Sequence, residues 1–223
     1  MKKQESSNPR REFITTVLGG AAAFGLSSVA SPLNAVAKTP TPTSDVNDAL
    51  KWIEQIKGKK HKIVFDWTKH NNGAVLGWAL AWMDTYKDMG IPDTDLSVVL
   101  VLRYATAPFA ISDPLWAKYG FGKRIELKDP ETKEFALKNL YAKCPTEDDN
   151  CIEILQKRGA LVCVCNHSIT GSAEGLAEQM KLDKEAVKKE FMDHMLPGIQ
   201  LVPSGIWAVS TAQELGSSFS FGG

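Results

Sequence analysis

The sequence predicts an α/β protein: a single three-layer domain with a mostly parallel five-stranded sheet flanked by helices. Two observations carry this expectation. Short, almost wholly apolar runs such as SVVLVL at 97–102 and ALVCVC at 160–165 suit strands covered on both faces. Between them lie segments whose apolar residues recur at helical spacing, and strands alternating with helices argue for parallel pairing with right-handed crossovers.

In chain order, HKIVFDW at 61–67 reads as a β-branched and aromatic strand. Residues 72–89 follow as an amphipathic helix through Val75, Leu76, Ala79, Leu80, Trp82, Met83 and Tyr86. Trp78 and Trp82 share one face of it and read as core or as a subunit contact. The strand at 97–102 ends in Arg103-Tyr104, and a turn-rich region separates it from the strand at 160–165. A helix over 168–180 is expected to start at a Ser168 cap, and one over 183–195 at an Asp183 cap, stopped by Pro197-Gly198. A strand at 199–202, a helix over 203–215 with Pro203 in its first turn, and a short strand at 217–221 complete the pattern. No internal repeat is present.

The first 37 residues read as an export signal. Residues 1–12 are polar and carry Arg10-Arg11, residues 13–30 are moderately apolar and uncharged, and Ala35-Val36-Ala37 offers small residues at the spacing signal peptidase needs. The arginine pair followed by Glu12-Phe13-Ile14 resembles the twin-arginine consensus. A membrane-anchoring helix is the competing reading, but it calls for about 20 strongly apolar residues, and Gly19, Gly20 and Gly25 dilute this stretch. The expectation is a periplasmic protein, cleaved after about Ala37. Its partner during export is the twin-arginine translocation machinery, and no membrane association follows cleavage.

Removing 37 of 223 residues leaves 186, enough for one well-buried domain. The removed part carries Lys2, Lys3, Arg10 and Arg11 against Glu5 and Glu12, so a chain of net charge zero becomes −2. That balance gives no electrostatic case for nucleic acid. Residues 38–59, rich in Pro, Thr and Asp over 38–48, are expected to form a tether and a leading helix. The α/β domain then occupies 60–223.

In a parallel sheet the carboxyl ends of the strands form the working crevice. Asp66, Trp67, His70 and Asn71 are delivered there after the first strand, Arg103 after the second, Cys165 and His167 after the third, and Pro203-Ser204 after the fourth. Cys165 stands just before a helix, where free backbone N–H groups favour a thiolate and His167 can donate to it. The competing reading is a small buried thiol that only packs. Arg103, with His70, Asn71, His167 and Asp66, suits an anionic ligand, although an equally plain reading has Arg103 pinning loops against Asp66 or Asp113.

Cys163 points to the same strand face as Cys165 and reads as a packing residue, since an extended C-x-C pair does not easily close a disulfide. Cys144 and Cys151 flank the acidic stretch PTEDDN, and in an exported protein they read as a structural disulfide. A redox or metal pair is the alternative. Cys163, Cys165 and His167 lack a fourth partner for a soft metal, so no metal ligand set is assigned. Gly73 and Gly77 do not form a dinucleotide fingerprint, and no cofactor is identified.

Arg158-Gly159 with LVCVCNHSI, then LPGIQLVPSGIWAVSTAQELG, resembles the DsrE/DsrF-like family over about residues 60–221. Arg103 after the second strand and DPLWAKYG at 113–120 are similar to an exported branch of that family. The resemblance implies a sulfur carrier more than a turnover enzyme, with persulfide sulfur on Cys165, a sulfur donor or acceptor protein as partner, and homo-oligomers. The alternative, from another class, is a periplasmic small-ligand or metal-binding assembly module in which no cysteine reacts.

Overall fold

The computed structural model describes residues 44–146 and 149–223. The export signal expected over 1–37 lies outside the described residues. Helix α1 (Ser44–Ile53) and a 3-10 turn at Glu54–Ile56 come first. The leading helix thus starts inside the stretch expected to be tether. Ala49, Ile53 and Ile56 recur at helical spacing, and all three are fully buried, so the segment has a packing reason to be ordered.

Five strands form one sheet: β1 (His61–Trp67), β2 (Leu96–Leu102), β3 (Leu161–Cys165), β4 (Ile199–Val202) and β5 (Ser218–Phe221). Their order is β4-β3-β2-β1-β5. Expected to be mostly parallel, the sheet is wholly parallel. The chain steps from β1 to β4 in one direction and then returns to pair β5 beside β1.

Alternation along the strands divides the core into two layers. Phe65 and Trp67 of β1, Leu100 and Leu102 of β2, and Val162 and Val164 of β3 face one side. There they meet α2 (Ala74–Asp88), α3 (Asp113–Tyr119), α4 (Phe121–Arg124), α5 (Ile152–Lys157), α6 (Asn166–Met180) and α7 (Lys184–Asp193). A run of aromatic rings fills this layer: Trp67 on Phe109 at 4.9 Å, Phe109 on Trp116 at 5.4 Å, Trp116 on Phe121 at 5.8 Å. Val64, Val99, Val101 and Cys163 face the other side, under α1 and α8 (Gly205–Glu214). Among the described residues no helix is long and apolar enough to cross a membrane.

Several boundaries differ from expectation, each for a local reason. Helix α2 begins at Ala74 because Asn71, Asn72 and Gly73 adopt left-handed backbone (φ 41, 47 and 74°), which Asn and Gly tolerate best. Cys165, not Ser168, is the N-cap of α6, since the helix starts directly at the strand end. Ser168 lies within the first turn and accepts a bond from the Tyr104 N–H at 2.8 Å. Pro203 precedes α8, whose N-cap is Ser204. Asp183 caps α7 as expected, accepting from the Ala186 N–H. Trp78 is 46% exposed, because the buried stripe of α2 runs through Val75, Leu76, Ala79, Leu80 and Met83.

Candidate functional site

Asp66, Arg103 and Cys165 converge on one face at the carboxyl edge of three neighbouring strands. In register, Asp66 lies opposite Val101 and Val101 opposite Cys163. Arg103 and Cys165, two residues further along, therefore point to the same side, the one covered by α8. The first residue of α8 closes over them. A β-carbon on Gly205 would stand 2.9 Å from Arg103 Cδ, 3.1 Å from Arg103 Cβ and 3.2 Å from Cys165 Cβ. Only the absence of a side chain at Gly205 lets the helix start this close to both residues.

Arg103 is held rather than free. Its Nε donates to Asp66 Oδ1 and its NH2 to Asp66 Oδ2, each at 2.6 Å. The Asp66 side chain is only 7% exposed and that of Arg103 25%. The Arg103 backbone N–H donates to Thr106 Oγ1 at 3.1 Å, and the Thr106 hydroxyl donates to the Trp67 carbonyl, which ties the ends of β1 and β2 together. Bonding to Asp66 raises the affinity of Arg103 for its proton above the ordinary arginine value, with the charge of Cys165 as a smaller contribution of the same sign. A fixed Arg103–Asp66 ion pair thus stands beside the thiol. The pairing of Arg103 with Asp66, one of the arrangements expected from the sequence, is present.

Cys165 and Cys163 are both unbridged. Cys163 is fully buried, and desolvation pushes its thiol well above the ordinary cysteine value, which fits a packing residue. Cys165 is 5% exposed, at the outer end of the strand and the N-cap of α6, with no side-chain bond closing that cap.

The other residues read from the sequence lie elsewhere on the rim. His70 Nδ1 accepts from the Asn72 N–H at 3.1 Å, and burial holds the ring's proton affinity below its ordinary value, opposed by the charge of Glu126. Asn71 is exposed, and His167 projects from the first turn of α6 into a separate groove. Among the described residues no hydrogen bond joins His70, Asn71 or His167 to Asp66, Arg103 or Cys165. Trp67, expected at the rim, is fully buried on the opposite face, and its indole N–H has no partner among the described residues. Gly205 is not singled out by the sequence as a site residue. The signal for Gly205 was its place after Pro203-Ser204 at a strand end.

Cys144 and Cys151 are joined in a disulfide with Cα atoms 5.7 Å apart, which ties Cys144 to the N-cap of α5. Among the described residues no group of three or more His, Cys, Asp or Glu is arranged to hold a metal ion. A groove of about 820 Å³ lies beside Asn139, Tyr141, Lys128 and Lys138 and includes none of the three converging residues. Comparison with models of known protein families and with curated proteins finds no match for the chain.

Proposed function

We propose that the protein is a carrier of sulfane sulfur, held as a persulfide on Cys165. The observation that carries this reading is an unbridged thiol at a strand end and helix N-cap, beside an arginine locked in place by Asp66. In the transfer, the Cys165 thiolate attacks the outer sulfur of a small persulfide, R–S–SH. One S–S bond forms on Cys165 as the donor's S–S bond breaks, and the donor leaves as the thiolate R–S⁻. No external oxidant or reductant is consumed. Arg103 offers a positive charge that offsets the anion at each stage, and its bidentate pairing removes the cost of ordering it at the moment of transfer.

The small exposure of Cys165 favours a donor that presents its sulfur on a narrow, extended group and shields the bound persulfide from bulk solvent. The resemblance to the DsrE/DsrF-like family supports the same reading, with a donor or acceptor protein as partner and a homo-oligomer as the working form. The disulfide at Cys144–Cys151 belongs with an oxidising compartment and supports export through the signal at 1–37. In that compartment a shielded thiol survives where an exposed one is oxidised. The test is intact mass after exposure to inorganic polysulfide. The wild type gains sulfur, and Cys165→Ser does not.

A further inference from the structure

A second groove lies on the face of the sheet opposite the thiol site, with a volume of about 640 Å³, within the range of small-molecule sites. It runs between the 3-10 segment Tyr104–Ala110, the short helix α4 and one side of α6. Its apolar lining comes from Pro108, Phe121, Ile125 and Leu176. Where it meets α6, a β-carbon added at Gly171 or Gly175 would touch nothing within 4 Å, so a flat molecule can lie directly on the helix backbone.

The formal charge on its walls is positive. Arg124 and His167 line the groove, and none of its lining residues is a carboxylate. Arg124 is braced at two nitrogens, with Nε donating to the Tyr119 carbonyl at 2.9 Å and NH2 to Gln179 Oε1 at 2.6 Å. Its other terminal nitrogen has no partner among the described residues. Tyr104 stands at the mouth, 74% exposed, with backbone in the left-handed region (φ 56°) and its N–H held by Ser168 Oγ. Packing does not explain a strained backbone that presents an exposed aromatic ring at the mouth, whereas a ring-stacking role does.

We infer that this groove binds a small aromatic anion, its ring lying on α6 against Tyr104 and its carboxylate or equivalent group on Arg124 with His167. The site is distinct from the one at Cys165 and does not depend on the sulfur chemistry proposed there. The two are linked along the chain, since Tyr104 follows Arg103 directly.

The experiment is an amide-resolved NMR titration of the protein with benzoate and 1-naphthoate, and with neutral benzyl alcohol as control. Saturable shifts confined to the amides of Tyr104, Ala105, Ser168, Gly171 and Gly175 are expected for the anions. Arg124→Gln should weaken benzoate at least about fivefold and leave benzyl alcohol unchanged, since one charge-assisted contact is lost. Gly171→Leu should abolish anion binding by filling the groove, and it improves helix propensity, so folding is not at stake. Absence of saturable shifts at these amides, or binding that survives Gly171→Leu, overturns the inference. So does equal loss of benzoate and benzyl alcohol in Arg124→Gln. Cys165→Ser should bind the anions as the wild type does, which separates this result from the fate of the sulfur reading.

Discussion

Asp66 on β1 grips Arg103 at the end of β2 through two bonds of 2.6 Å, which join the two strands at their carboxyl ends. Because Asp66 is almost buried, its carboxylate has no water to fall back on. Arg103→Met therefore leaves a buried charge without its partner, and a loss of about 3 kcal/mol in urea denaturation is expected. Asp66→Asn should cost less, about 2 kcal/mol, since Arg103 keeps partial access to water. It should also free the guanidinium, so that alkylation of Cys165 in the folded protein changes its pH profile. A profile identical to the wild type would limit Asp66 to a structural role.

Gly205 predicts the sharpest steric effect. An alanine there brings a methyl group within 2.9 Å of Arg103 Cδ and 3.2 Å of Cys165 Cβ, and the start of α8 must lift or Arg103 must move. A destabilisation of about 1–3 kcal/mol is expected, with faster labelling of Cys165 by a thiol reagent. An unchanged melting temperature together with an unchanged labelling rate would contradict this packing.

How far these residues were readable in advance follows from what each depends on. Cys165, Arg103 and Asp66 stand at the ends of strands whose apolar runs are unmistakable, so their shared rim followed from the parallel pattern alone. Which way each faces needed the register: Trp67, one residue from Asp66, turns into the core and not the rim. Gly205 was missed because its role is a close approach between a helix and two side chains distant in sequence. The short helices α3, α4 and α5 sit in the stretch read as turns. Their few residues carry too little periodicity, and burial of Trp116, Phe121 and Leu155 holds them in place.

The disulfide closes a loop of seven residues' separation, and its removal should cost about 2 kcal/mol in the chain-entropy account. Cys144→Ser with Cys151→Ser should lower the melting temperature, and dithiothreitol should lower that of the wild type to match. A wild type insensitive to dithiothreitol would mean the two cysteines do not pair in solution. Polysulfide uptake should survive the double substitution.

Glu190 predicts an acid-side effect. Its carboxylate accepts from Lys118 Nζ at 2.6 Å and from the Tyr119 hydroxyl, and these bonds hold its folded proton affinity below the ordinary glutamate value. The unfolded chain then takes up this proton at a higher pH than the folded one. The contribution is present above the unfolded value and is lost as pH falls through the folded one. Urea midpoints at about pH 6.5 and about pH 3.5 should therefore lie closer together in Glu190→Gln than in the wild type. Equal spacing in the two proteins would show that Glu190 gains nothing from its partners.

Persulfide carriage comes down to a single atom, the sulfur of Cys165. Intact mass of the full-length protein, taken before and after inorganic polysulfide and again after a reductant, reads it directly. A reversible gain of sulfur is expected on the wild type and on Cys163→Ala, and none on Cys165→Ser. Sulfur uptake that persists in Cys165→Ser, or a wild type that takes up none, would contradict it.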